Sequence, residues 1–281
     1  MRIFALPLVA LASLLVSSST ECSCNGPDAR TQPPANAIVG DPTGAYSGSF
    51  RNVSEAVGNV PNNTDEHTIF LFPGVYREQV LISKLNGPLV LQGYTCNTTS
   101  YAANEVTITH AKAQRDIPPE ITSGRNDLTS TLRLKTNNVK GKELFARSYI
   151  SGDVDFIFGT KAEAWFESCD IEPVGPGCIT ANRRVNESSP SFYVFNNARV
   201  FSSIGNGTAY LGRPWRPYSR VVWQNSELSD VIHPDGWQQW NKDKKTANRV
   251  SFSGVLDAPV PITQILGDNY TSEWYVDHKF L

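Results

Sequence analysis

Trp165-Phe166-Glu167-Ser168-Cys169-Asp170-Ile171 returns twice further along the chain. It reappears as Val194-Phe195-Asn196-Asn197-Ala198-Arg199-Val200 and again as Val222-Trp223-Gln224-Asn225-Ser226-Glu227-Leu228, at offsets of 29 and 28 residues. Arg133 to Val139 reads as an earlier, less similar copy. Each copy is an apolar strand, a polar turn and another apolar residue. A repeat of that length and pattern fits one coil of a parallel β-helix, with apolar residues stacked inside and polar ones in ladders at the corners. An antiparallel sandwich also spaces its strands evenly. The Asn-rich turns of the repeat carry no tight Asn-Gly hairpin, which favours the solenoid. Further short β runs agree with an all-β chain: Thr68–Phe72, Val80–Ser83, Leu89–Leu91, Val106–Thr109, Thr131–Leu134 and Arg220–Trp223. Phe50–Val57 reads as a short helix capping the first coil.

The 281 residues carry 25 basic and 27 acidic side chains, a net charge of −2. That balance argues against a nucleic-acid footprint and leaves room for a local basic cleft. Arg2, the apolar run Ile3 to Val16 and the small residues Ser17 to Thr20 form a secretory signal pattern, too short to span a membrane. Residues 1–20 are thus expected to be a signal peptide, 21–34 an N-terminal tail, and 35–281 one domain. Six sequons, at Asn52, Asn62, Asn97, Asn186, Asn206 and Asn269, fit an exported glycoprotein. Of the five cysteines, Cys22 and Cys24 are poorly placed to pair with each other, and Cys169 and Cys178 could close a loop. An odd count leaves at least one thiol outside intramolecular pairing. His67, His110, His233 and His278 are scattered, and no Cys/His cluster has zinc-ligand spacing. Neither a metal nor an organic cofactor is expected.

Chemistry concentrates in Ile150-Ser151-Gly152-Asp153-Val154-Asp155-Phe156-Ile157-Phe158-Gly159. The stretch reads as one buried strand with Asp155 in its middle, and a carboxylate there needs a partner. Tyr210-Leu211-Gly212-Arg213-Pro214-Trp215 offers one. Arg213 would hold the carboxylate ionised and aimed, Gly212 would let the backbone turn, and Trp215 presents a flat face for a sugar ring. An ionised carboxylate in a dry site can act as a nucleophile. A structural Asp–Arg pair between strands is the plainer alternative. Trp215 also reads as a partly buried solenoid aromatic, and Phe158 as either cleft wall or core.

These residues closely resemble the signatures of the pectin methylesterases, especially fungal ones. Ser151–Gly159 resembles the family's nucleophile strand, and Leu211-Gly212-Arg213-Pro214-Trp215 its arginine–tryptophan motif. Pro73-Gly74-Val75-Tyr76-Arg77-Glu78 resembles its N-terminal element, and Gly236-Trp237-Gln238-Gln239-Trp240 its late tryptophan motif. The resemblance runs from about Ala35 to the C-terminus. It implies a right-handed parallel β-helix that hydrolyses methyl esters of polygalacturonate, releasing methanol. Asp155 is then the nucleophile, Arg213 its orienting partner, and Trp215 and Phe158 substrate contacts. A secreted monomer acting on methylated pectin is expected, with no nucleic-acid or membrane partner.

The chain departs from the family at one place. The family carries a second Asp, in a Gln-Asp-Thr segment, as acid/base, and two Gln as oxyanion donors. Here Val139-Lys140 runs directly into Gly141-Lys142-Glu143, and about two coils of the family pattern are absent. Asp153, two positions before Asp155 and thus on the same face of a continuous strand, and Glu143 are the nearest candidate substitutes. The gap predicts little or no turnover by this chain. It keeps open a pectin-binding homologue without hydrolysis. A β-helix lyase or glycosidase would need calcium-binding acidic clusters or a working carboxylate pair, and the sequence presents neither.

Overall fold

The computed structural model describes residues 24–83, 85–135, 142–240, 254–272 and Val276. Residues 1–20, expected to be a signal peptide, lie outside them. Two blocks of coils follow one another. The first contains β1 (Ile38–Gly40), the helix α1 (Val53–Gly58), β2 (His67–Leu71), β3 (Gly74–Arg77), β4 (Val80–Ile82), β5 (Leu89–Gly93), β6 (Val106–Thr109) and β7 (Leu132–Leu134). They pair as β1-β2-β5, β3-β6 and β4-β7. The second contains β8 (Lys142–Ala146), β9 (Tyr149–Gly152), β10 (Ile157–Gly159), β11 (Glu163–Glu167), β12 (Asp170–Pro173), β13 (Gly177–Asn182), β14 (Phe192–Asn196), β15 (Arg199–Val200), β16 (Ala209–Pro214), β17 (Val221–Gln224) and β18 (Glu227–Leu228). Its sheets run β8-β11-β14-β17, β9-β12-β15-β18 and β10-β13-β16. Every strand pairing is parallel, between one coil and the next. This is a parallel β-helix.

The sequence repeat is the coil register. Phe166 stands beside Phe195, Phe195 beside Trp223, and Ile171 beside Val200. In-register positions share a face, so their rings stack inside the solenoid. Phe145, Phe166, Phe195 and Trp223 form one pile, with successive centroids 4.7, 4.3 and 3.8 Å apart. Burial of these rings and of Ile171, Ile179 and Val200 builds the core.

Between the first two strands of each coil the chain turns on a single left-handed residue: Arg147, Ser168, Asn197 and Asn225, with φ of 45, 51, 52 and 50°. Asn tolerates that region best among residues with a side chain, which explains the Asn-rich turns. The outer side chains form a polar ladder there. Glu167 accepts from Asn196 and Asn197, and Asn196 accepts from Gln224 and Asn225.

The earlier copy of the repeat is not Arg133 to Val139. Arg133 lies in β7, which pairs with β4, and residues 136–139 lie outside the described ones. Its place is taken by Leu144 to Ile150, with Phe145 beside Phe166 and Ile150 beside Ile171. That coil advances only 21 residues, so a search at a fixed offset of 28 or 29 passes over it.

No described strand pairs across the junction between β7 and β8. The edges of β5, β6 and β7 face onward and those of β8, β9 and β10 face back, each without a ladder partner among the described strands. Side chains make the bridging contacts: Tyr101 stacks on Tyr149 with centroids 5.7 Å apart, and Asn104 Nδ2 donates to the Arg147 carbonyl at 3.4 Å. The discontinuity falls at the junction where the resemblance leads further coils to be expected.

At the N-terminal end α1 buries Val53 and Ala56 against Ile69, Leu71 and Tyr76. Asn52 caps it, accepting from the Glu55 amide. Glu78 adds a carboxylate to the same helix end, accepting from the Val53 and Ser54 amides at 2.6 and 2.9 Å. The Tyr76 hydroxyl donates to the Gly40 and Phe72 carbonyls. The Tyr and Glu of the N-terminal motif are therefore structural.

Cysteine pairing differs from the expectation. Cys24 is bonded to Cys96, while Cys169 and Cys178 are buried free thiols. Burial pushes both thiols up to about 12. The 21–34 segment is correspondingly no loose tail over its described part. Arg30 and Thr95 exchange backbone hydrogen bonds at 2.8 and 3.0 Å, and the Thr98 amide donates to Asp28. The disulfide closes a separation of 72 residues. In the chain-entropy model such a loop contributes about 4 kcal/mol. The double variant Cys24→Ser/Cys96→Ser is expected to lose about that much stability in denaturant titration. An unchanged midpoint would show that the hydrogen bonds alone fix the segment.

Among the described residues no helix is long and apolar enough to cross a membrane. Asn62, Asn186, Asn206 and Asn269 are exposed, and Asn52 and Asn97 half-buried.

Candidate active site

Asp155 does not sit mid-strand. Ile150 to Gly159 forms two strands, β9 and β10, meeting at a corner, and Asp155 occupies that corner with φ +52°. Its amide donates to the Cys178 carbonyl at 2.6 Å, tying the corner to β13. A left-handed conformation for a residue with a side chain costs on the order of 1 kcal/mol or more and is concentrated at functional sites. The corner also breaks strand alternation. Asp155 is buried, 5% exposed, whereas Asp153 is exposed, with its carboxylate against Gly175. The two do not share a face as alternation predicted.

The carboxylate is gripped by Arg213. Arg213 Nε donates to Oδ1 at 3.0 Å and to Oδ2 at 3.2 Å, and Nη2 donates to Oδ2 at 2.6 Å. This planar fork fixes both position and plane of the carboxylate. Arg213 is held above its ordinary pKa, chiefly by that hydrogen bond and against a desolvation cost. Arg213 comes from β16, in register with Ala181 of β13, which is in register with Phe158 of β10. Phe158 thus lies on the Arg213 face, while Phe156 and Ile157 pack on the core. Gly212 serves close approach, not a turn. A Cβ there would stand 2.0 Å from Thr180 Oγ1, so β16 can lie against β13 only with glycine at this point.

Trp215 continues from β16, its amide donating to the Asn182 carbonyl at 3.2 Å. Asn182 is fully buried, and its side-chain oxygen accepts from the Arg184 and Arg220 amides. It thereby pins the loops on both sides of the site. Trp240 stacks on Trp215 with centroids 5.8 Å apart, and Arg213 Cζ lies 4.6 Å from the Trp240 ring centre. The structure therefore brings Asp155, Arg213, Phe158 and Trp215 to one side of the β10-β13-β16 sheet. It adds Trp240, the last residue of the late tryptophan motif. The Gly212–Trp237 bridge extends the sheet by one more coil, which carries residue 240 past the end of β16.

Neither proposed substitute acid joins this group: Asp153 and Glu143 make no hydrogen bond to Asp155 or Arg213. Glu143 lies in β8 two residues before Phe145, so it faces the solenoid interior, in register with Ala164 and through it with Tyr193. Burial pushes its carboxyl from 4.5 up to about 7. The sign follows from linkage: stability is whole below the unfolded value of 4.5, erodes as pH rises, and levels off above about 7. The loss is on the order of 3 kcal/mol. Glu143→Gln is expected to flatten stability across this range and to stabilise the protein at pH 7.5. Denaturant midpoints at pH 5 and 7.5 check it. A slope as steep as the parent's would assign the effect to another group.

Comparison with known proteins places this geometry. The Pectinesterase family model matches residues 137–253. The pectinesterase of Aspergillus aculeatus is 34% identical over 321 aligned positions, covering 89% of this chain and 94% of its own. The pectinesterase of Aspergillus niger is 33% identical, covering 96% and 98%. Among solved structures, the Aspergillus niger pectin methylesterase in penultimately deglycosylated form superposes with a TM-score of 0.69 at 25% identity, over 90% of this chain and all of that one. The carrot pectin methylesterase shares the fold, with a TM-score of 0.53. The chain belongs to the pectinesterase family. The Aspergillus aculeatus alignment spans 321 positions although 89% of 281 residues is about 250, so about 70 positions of the relative have no counterpart here.

Proposed function

We propose that this protein is a secreted, glycosylated pectin methylesterase. Its carrying observation is the Asp155–Arg213 fork, held in a buried left-handed corner beside Trp215. Asp155 attacks the ester carbonyl of a methylated galacturonate, and the departing methoxide takes a proton from solvent water to become methanol. Water then hydrolyses the acyl–Asp155 intermediate, releasing the free carboxylate. Arg213 aims the attacking oxygen, Trp215 and Trp240 offer a wall for sugar rings, and Phe158 flanks the cleft. Family membership and the similar fungal enzymes support this reading, as does the absence of any membrane-crossing helix among the described residues. A monomer is the expected unit.

One observation favours a second reading, pectin binding without turnover. Among the described residues the only side chain hydrogen-bonded to the Asp155 carboxylate is Arg213. No second carboxylate stands beside it among the described residues, and the strand ladders stop at the coil that would supply one. Methanol release and binding, both measured on highly methylated pectin, separate the two. Release above the uncatalysed rate supports the esterase, while binding with no release supports the second reading. A protein that does neither contradicts both.

A further inference from the structure

Two arginines stand at opposite ends of one indole pair. Arg213 lies against Trp240, Trp240 stacks on Trp215, and Arg183 Cζ lies 5.4 Å from the Trp215 ring centre. Arg213 is neutralised by Asp155. Arg183 has no such partner: its side chain makes no hydrogen bond among the described residues, and its Nε is buried without an acceptor. Its Nη groups are not among the buried atoms and also lack an acceptor among the described residues, so a ligand carboxylate can accept from them.

The backbone fixes where that ligand would lie. The Arg183 amide donates to the Gly159 carbonyl at 2.9 Å, directly beyond β13. Asn182 is in register with Pro214, so Arg183 stands level with Trp215. Arg213 is in register with Ala181, two residues earlier, or about 7 Å along the strand. Arg183 therefore reaches a neighbouring ring of a polymer laid across Trp215, not the ring at Asp155. Burial, and after it the neighbouring Arg184 charge, lowers the pKa of Arg220. Among the described residues Arg183, Arg184, Arg216 and Arg220 form no salt bridge. On a chain of net charge −2 this is a local basic field.

We propose that Arg183 is a specificity residue that binds the free carboxylate of a uronate ring next to the ring at Asp155, giving this groove a preference for partly de-esterified over fully esterified polymer. The inference rests on the proposed function for the polymer class. The test compares binding of unesterified polygalacturonate and of fully methyl-esterified polygalacturonate to the full chain, to Arg183→Gln and to Arg183→Lys, with thermal unfolding recorded for each. Arg183→Gln is expected to weaken binding of the unesterified polymer by about tenfold or more, the size of a lost charge-assisted hydrogen bond. Its binding of the esterified polymer stays within about twofold, and Arg183→Lys, which keeps the charge without the fork, falls between Gln and parent. Equal losses on both polymers overturn the proposal and make Arg183 a support for Trp215. A parent that binds the esterified polymer and not the free one also overturns it, while leaving the proposed function standing. A parent that binds neither also overturns it, and methanol release then decides the proposed function separately.

Discussion

Asp155→Asn is expected to lower methanol release from methylated pectin by about 10⁴-fold or more. The measurement belongs both in this chain and in a form carrying the family's two coils between Lys140 and Gly141, where turnover is large enough to read the whole fall. The substitution is chosen for the corner. Asn tolerates φ +52° as Asp does, so the backbone need not move. An amide retains the shape of the carboxylate and loses the charge and the nucleophilic oxygen. Thermal unfolding of the variant should therefore stay close to that of the parent, apart from the cost of leaving Arg213 without its anion. Arg213→Lys supplies the companion measurement. It keeps the positive charge but cannot reproduce donation from Nε and Nη2 to both oxygens. A large fall in turnover with a small change in pectin affinity is expected. Loss of binding with turnover kept would instead make Arg213 a substrate-binding residue. Equal rates for Asp155→Asn and its parent would remove Asp155 from the reaction.

The coil register was legible because it is written in size and period. Phe166, Phe195 and Trp223 recur at one position of each coil, and the structure stacks them ring on ring. The pairing of Asp155 with Arg213 was legible for a different reason: a carboxylate among apolar residues needs a cation, and the arginine of the later motif was the best placed. Conformation was harder to read. Val154, Phe156, Ile157 and Phe158 look like one strand by composition, yet a single left-handed residue divides it. Strand alternation cannot announce such a corner, so the inferred common face of Asp153 and Asp155 failed with it. The disulfide was illegible because the Cys24–Cys96 pairing depends on where the chain returns after β5. The inward aim of Glu143 depends on the register of β8, whose 21-residue coil departs from the period. Trp240 reaches the site from beyond the last bridge of the β10-β13-β16 sheet, where no repeat predicts it.

Insertion of the two family coils between Lys140 and Gly141 is expected to raise turnover by about 10⁴-fold or more. The magnitude follows from what is absent. One oxyanion donor is worth about 10²–10³ in rate, and a general acid or base about 10²–10⁴. These groups act as a unit, so the gains do not simply multiply. The structure adds a reason to expect the insertion to fold. In a solenoid each coil contacts only its neighbours. Here β5, β6 and β7 on one side and β8, β9 and β10 on the other present sheet edges with no ladder partner among the described strands. The about 70 alignment positions without counterpart are of the order of two coils at the 28–29-residue period, with some residues over for turns. Denaturation offers a readout independent of catalysis. A one-dimensional array with a weak internal interface unfolds block by block, whereas a continuous one unfolds more cooperatively. This chain is therefore expected to show two transitions, with the β1–β7 and β8–β18 blocks melting separately, and the restored form one. Family-like turnover by the 281-residue chain itself would overturn the argument. It would mean that proton transfer and oxyanion binding are carried by groups this chain already has. The search for them would begin with Glu143, whose carboxyl titrates near 7, and with Gln238, which lies against Cys178 beside the Asp155 corner.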